Sequence, residues 1–173
     1  MGEINNTYLG YIRDMVLNHN LTKINMWQAE IVWGGEKHCH DTPFSTTSDN
    51  TMPVNAFSHC PNLETVILPE SLTITGGDAF AYCDNLSKMV FGPSIISVGQ
   101  GTYGSKKRMD VYIPTTRVPV GNAYMFHTYG ADIHVLPSMV NSFRNTAQWN
   151  DNQHYNIIGD LTNELTLKGK TLS

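Results

Sequence analysis

The chain has 173 residues and a mass of 19.3 kDa, enough for one compact domain or a short repeat array but not for several large domains. Eleven Lys and Arg against fifteen Asp and Glu give a net charge of -4, and no basic run exceeds Lys106-Lys107-Arg108, which argues against an extended phosphate-neutralising surface and against nucleic acid as a partner. No apolar stretch approaches the ~18 to 20 residues that cross a bilayer, and Met1 to Asn6 lack the basic start and apolar core of an export signal.

In chain order, Ile4, Tyr8, Tyr11, Ile12, Met15 and Val16 recur at spacings of three and four, which predicts an amphipathic helix over 4–18 whose apolar face covers the first layer of the core. Leu21-x-x-Ile24-x-Met26 follows, with a first strand expected at 24–26 and Trp27 and Trp33 near it. Glu36-Lys37-His38-Cys39-His40-Asp41 is where imidazole and thiol groups crowd together. His38, Cys39 and His40 are thus a weak metal candidate. On an extended chain, however, Cys39 points away from both histidines, and no second Cys or His pair stands at a zinc-site spacing. No metal or other cofactor is assigned. A Cys39 nucleophile would need an orienting group and an oxyanion pocket that nothing in the sequence marks.

Self-comparison then reveals a repeat. Ala56-Phe57-x-x-Cys60-x-Asn62-Leu63-x-x-Val66-Ile67-Leu68-Pro69 returns 23 residues later as Ala79-Phe80-x-x-Cys83-x-Asn85-Leu86-x-x-Met89-Val90-Phe91-Gly92-Pro93. A weaker copy starts at Thr102-Tyr103 and runs through Met109-x-Val111-x-Ile113-Pro114, and Ile133-His134-Val135-Leu136-Pro137 keeps the strand and its proline. Strands are expected at 66–68, 89–91, 111–113 and 133–136, with Val66, Leu68, Met89, Phe91, Val111 and Ile113 facing in and Ile67, Val90 and Tyr112 facing out. The proline after each strand cannot extend a ladder and marks the turn out of the sheet. Ile74 and Val98, each shortly before glycine, indicate a second brief extended segment per unit.

A unit of this length cannot enclose a core alone, but stacked units can share one. The expected fold is therefore an α/β repeat solenoid, a short right-handed stack of about five coils with parallel strands and helical caps at both ends. Phe57, Phe80 and Tyr103 should stack as a column, and Cys60 and Cys83 should lie against each other as buried thiols, a disulfide between them being the alternative. Ser138 as N-cap, with Met139, Val140 and Phe143 on one face and Trp149 beyond, predicts the closing helix. One domain over 1–161 results, with a cap at 1–20, repeats at 21–137, a second cap at 138–161 and a tail at 162–173. Gly99-x-Gly101-x-x-Gly104 has the lettering of a phosphate loop but no strand-to-helix context, and reads as repeat punctuation. Asn5, Asn20 and Asn85 match glycosylation acceptors, although Asn85 belongs to the repeat and is expected to bond the backbone of a turn.

The motif Ala-Phe-x-x-Cys-x-Asn-Leu-x-x-apolar-x-apolar-Pro resembles the BspA-like leucine-rich repeat of surface proteins from anaerobic gut and oral bacteria. It departs from that pattern at Ile74-Thr75, where the family usually has Ile-Gly, and in the degenerate copy at 102–114. The resemblance implies a secreted or surface-anchored, non-catalytic array that binds proteins or glycans, in mature or truncated form. The candidate binding surface is the outward row Asn25, Ile67, Val90, Tyr112 and His134, flanked by Thr65, Lys88 and Asp110, unless another segment packs over this face. A spacer that self-associates through this row is the second reading, and a metal-dependent enzyme centred on His38, Cys39 and His40 the third.

Overall fold

Short apolar triplets, each flanked by turn residues, set the architecture. A computed structural model describes residues 2–34, 48–101, 106–122, 124–126, 129–151 and 153–162, and the backbone alone at 38–39 and 42–43. In order, the elements are β1 (Gly2–Ile4), α1 (Asn6–Asn18), β2 (Lys23–Asn25), β3 (Ala29–Ile31), β4 (His38–Cys39), β5 (Thr42–Pro43), β6 (Thr51–Met52), β7 (Thr65–Ile67), β8 (Ile74–Thr75), β9 (Lys88–Val90), β10 (Ser97–Val98), β11 (Met109–Ile113), β12 (Val120–Gly121) and β13 (Ala131–Val135). A 3-10 turn (Pro137–Met139), α2 (Val140–Arg144) and β14 (Tyr155–Ile158) complete them.

Among the described residues two long parallel sheets form, beside a separate parallel pair of β1 and β3. The larger has the order β2-β7-β9-β11-β13-β14 and the smaller the order β6-β8-β10-β12. In the larger sheet Thr65, Lys88, Asp110, Asp132 and Asn156 lie in one row, partners being 23, 22, 22 and 24 residues apart. In the smaller, Thr51, Ile74, Ser97 and Val120 are spaced by 23 each. Every period contributes a strand to the larger sheet and four of them also one to the smaller, as expected of a solenoid. The step from Lys23 to Thr65 is 42 residues, so the first crossover carries an insertion, which includes the antiparallel pair β4 and β5.

The first three strands of the larger sheet begin one residue before their expected places, and β14 is a sixth strand beyond the anticipated set. It lacks the Ala-Phe-x-x-Cys lead that made the others recognisable. Between the sheets lies one core that includes Leu63, Val66, Leu68, Leu86, Met89, Phe91, Val111, Ile113, Ile133 and Val135, all without solvent exposure. Phe57 and Phe80 are stacked at 5.4 Å and 5°, as the repeat predicts, while Tyr103 falls outside the described residues. Cys60 and Cys83 are free, buried thiols. Cys83 donates to the Phe57 carbonyl, and its hydrogen bond with Cys60, together with burial, pushes its pKa up. That same bond and the charge of Arg13 lower the pKa of Cys60 against the opposing effect of burial.

The 23-residue period is also written into the backbone. Asn55, Asp78, Gly101 and Tyr124 all have left-handed φ, from 54° to 61°, and so do His59 and Tyr82 at 59°. Asn and Asp tolerate this region and Gly prefers it, whereas a bulky side chain there is strained. Asparagines tie neighbouring coils together, Asn62 donating to the Asn20 side chain and Asn85 to the Pro61 carbonyl. Asn85 thus bonds a turn, one coil back from its own.

Two helical expectations change. α1 turns Leu9, Arg13 and Val16 inward and leaves Tyr8, Tyr11 and Met15 exposed. The buried Arg13 guanidinium donates to the Ser58 carbonyl, so the helix face is chosen by a hydrogen bond that apolar spacing does not reveal. Ser138 lies inside the 3-10 turn and caps nothing; Pro137, whose fixed φ and missing N–H suit a first turn, starts it instead.

Candidate binding face

Register places two rows side by side on the outer face of the larger sheet: Lys23, Thr65, Lys88, Asp110, Asp132 and Asn156, and next to it Asn25, Ile67, Val90, Tyr112, His134 and Ile158. The second is the row expected from alternation, yet its residues do not share one environment. Ile67 is 0% and Val90 2% exposed, so the apolar part of the row is shielded from solvent and offers no contact surface. The physical reason is that a parallel sheet is commonly covered on both faces, and strands so covered read as continuous apolar runs. Val66-Ile67-Leu68 and Met89-Val90-Phe91 are such runs. Asn25 is exposed but stands apart, its carboxamide oxygen accepting from the Trp27 N–H in a local turn.

The accessible part of the face begins at Lys88, whose Nζ lies 5.5 Å from the centroid of the Tyr112 ring. A cation over a ring face is attracted by its quadrupole. Tyr112 in turn stacks on His134 at 4.4 Å and 9°. His134 is clamped, Nδ1 lying 2.9 Å from Asp160 Oδ2 and Nε2 3.4 Å from Asp110 Oδ1. The imidazole side chain is only 12% exposed, whereas the two carboxylates are 51% and 55% exposed and keep acceptor capacity toward solvent. Burial raises the Tyr112 phenol pKa, with Asp110 and Asp160 adding to it, and burial together with Lys23 lowers that of Lys88. Asp132 accepts from both Nε and Nη2 of Arg108, 3.1 and 2.7 Å, and from Asn156. The Arg108 guanidinium holds the Asp132 carboxyl below the usual carboxylate range.

Along the sheet the face therefore passes from basic, at Lys23 and Lys88, through an aromatic pair, to acidic at Asp110 and Asp160. Such a gradient can orient a partner that carries cationic or aromatic groups. Of the expected residues, Lys88, Tyr112 and His134 come together; Val90 pairs with Tyr112 in the ladder but is buried, as is Ile67, and Asn25 stands apart. Asp160 went unrecognised in the sequence because it lies beyond the last expected strand. The signal that finds it is the step of 26 residues from His134, close to one period.

His38 and Cys39 form β4, but their side chains and all of His40 lie outside the described residues. Among the described residues no group of three or more His, Cys, Asp or Glu is disposed to hold a metal ion. Gly99 and Gly101 serve the coils as punctuation. A Cβ on Gly99 would stand 2.6 Å from the carbonyl oxygens of Thr75 and Gly76, and Gly101 occupies the left-handed corner; Gly104 lies outside the described residues. Thr75, the departure from the usual Ile-Gly, accepts from the Gly99 N–H through Oγ1. Among the described residues no helix is long and apolar enough to cross a membrane.

A family model for the BspA type leucine rich repeat region matches residues 44–154 in six copies. The chain belongs to this family of repeat modules, and the match begins just after β5 and reaches the last strand. None of the curated proteins compared with the chain matches it.

Proposed function

We propose that the chain is a non-catalytic recognition module, secreted or displayed at a bacterial surface, that binds a protein or carbohydrate ligand. The observation that carries this reading is the half-buried Lys88–Tyr112–His134 stack beside the exposed carboxylates of Asp110 and Asp160. A protein segment bearing Arg or Lys next to an aromatic ring fits it best, with the carboxylates taking the cation and Tyr112 the ring. In this reading the module is a right-handed solenoid of six coils, one per strand of the larger sheet. α1 covers one end, and the segment of Pro137–Met139 and α2 with Phe143 and Trp149 covers the other. Repeats thus extend beyond the limit at 137 suggested by the proline-ended strands.

The test is a protein and glycan array probed with the purified chain, followed by Tyr112→Ala and His134→Ala. Truncating an anchor of this kind costs about 2 kcal/mol of binding. Full binding of both folded variants to every ligand found would remove the proposal. A second reading, assembly with another copy, is favoured by Ile74, Ile96 and Val120, exposed on or beside the smaller sheet. It no longer involves the Ile67 row, and light scattering that finds only monomer at high concentration would dispose of it.

A further inference from the structure

At the end of the stack lies a cavity of about 430 Å³ lined by Tyr124, Ala147, Gln148, Asn150, Asp151, His154 and Tyr155. Of these only Tyr155 lies in a strand of the larger sheet, and it is buried and stands outside the two outward rows. The size falls within the range of about 300–1,000 Å³ usual for small-molecule sites. Its support is a cluster of aromatic rings: Phe126 meets Tyr155 edge-on at 5.8 Å and Trp149 at 6.3 Å, and Phe143 meets Trp149 at 5.1 Å. The Trp149 indole N–H is fixed to the Pro119 carbonyl at 2.8 Å, and the Tyr155 hydroxyl accepts from the Phe126 N–H.

Two lining residues, Tyr124 at φ 61° and Gln148 at φ 71°, hold left-handed backbones without being glycine. Such conformations are costly and persist where the surroundings over-determine them, often at binding sites. At the equivalent corners the chain uses Asn55, Asp78 and Gly101, residues suited to that geometry, so the phenol at 124 is a departure from the cheaper choice. Tyr124 as a whole is 60% exposed, and it lines the cavity.

The polar lining has a definite sign. Asp151 accepts from the backbone N–H groups of Gln153 and His154 through Oδ1, and its Oδ2 lies 2.8 Å from His154 Nδ1. Although burial opposes it, these hydrogen bonds lower the Asp151 pKa, so its carboxylate is ionised. Carboxamides of Gln148 and Asn150 stand on the same rim, and no Lys or Arg is among the described lining residues, Arg108 and Arg144 lining the neighbouring pocket on the other side of His154 and Tyr155. A carboxylate without a lysine or arginine disfavours an anion. Planar amides and a carboxylate pair well with vicinal hydroxyls, and an exposed ring offers a face to C–H groups.

We propose that this cavity is a binding site for a neutral saccharide, one or two sugar rings in size. Tyr124 stacks on the apolar face of a ring while Asp151, Gln148 and Asn150 take its hydroxyls. This deepens the recognition reading, resting on it only in that the chain binds ligands, and it concerns a different surface.

The experiment titrates the full chain with glucose, galactose, mannose, N-acetylglucosamine, lactose and, as the anionic arm, glucuronic acid, followed by isothermal titration calorimetry and thermal denaturation. At least one neutral sugar should bind. Tyr124→Gly should weaken that binding about tenfold or more while leaving the melting temperature unchanged or raised, because glycine relieves the left-handed strain. Asp151→Asn, which keeps the Oδ1 acceptor of the turn, should also weaken it, whereas His134→Ala should not. Absence of binding to every neutral sugar, preference for glucuronic acid, or binding untouched by both cavity variants would overturn the proposal. Loss of binding in His134→Ala would do so too, by moving the sugar to the strand face.

Discussion

The coils between residues 51 and 101 and those between 106 and 158 share one plan but differ in what they present to solvent. In the first region the motif is intact, Phe57 and Phe80 stack almost face to face, Gly99 packs on the Gly76 backbone, and the outward Ile67 and Val90 are buried. In the second, Cys and Asn of the motif are gone, β11 and β13 lengthen to five residues, and the outer face carries Arg108, Asp110, Asp132 and His134. Both regions bury their inward residues, but apart from Lys88 the side chains of the candidate sites lie where the motif has been lost. Local rules are broken most often where a protein does something besides fold.

That contrast can be broken deliberately. Phe80→Ala removes one ring of the stacked Phe57–Phe80 pair, and a fully buried Phe truncated to Ala costs about 3–5 kcal/mol. Urea denaturation should show a loss of this order, and a loss below about 1 kcal/mol would mean that the column is not the spine of the array. Gly99→Ala places a methyl 2.6 Å from two carbonyl oxygens and should destabilise by about 1–3 kcal/mol, read from the same titration. Neither change should be matched by a surface substitution among the later coils.

The smallest effect concerns the Arg108–Asp132 pair, whose carboxylate is 30% and guanidinium 44% exposed. Because the folded pKa of Asp132 is lowered, its contribution is fully present above the unfolded value near pH 4 and is lost as pH falls through the lower, folded value. Exposed pairs contribute about 0–1 kcal/mol, so Asp132→Asn should cost no more than this at pH 7. It should also flatten the pH dependence of stability only below about pH 4. An equal loss at pH 7 and pH 2.5 would show that the ion pair is not the cause.

Much of the fold was legible because a repeat states the same physics several times. The Ala-Phe-x-x-Cys-x-Asn-Leu lead found the coils, and strand prolines found their ends. What escaped notice was information carried by contacts distant in sequence. Arg13 gains its partner Ser58 from 45 residues away, which decides the face of α1. Asp160 meets His134 only once β14 has been added to the sheet. The burial of Ile67 and Val90 was readable in principle, since three consecutive apolar residues mean two covered faces, but alternation was given precedence. The cavity at Tyr124 left no motif, because its residues belong to corners and turns where period and hydropathy carry little.

The left-handed corners at Asn55, Asp78, Gly101 and Tyr124 have a consequence for how such an array can grow or shrink. They act as a metering mark, since a cut that starts and ends on them moves every strand by one rung and disturbs neither ladder. Excising residues 56–78 would rejoin Asn55 to Ala79 and leave a shorter but well-formed stack, whereas a cut one residue longer or shorter would put every later strand out of step with both ladders and a neighbouring residue into the corner. Duplication in evolution, and truncation at the bench, are both held to whole multiples of that length.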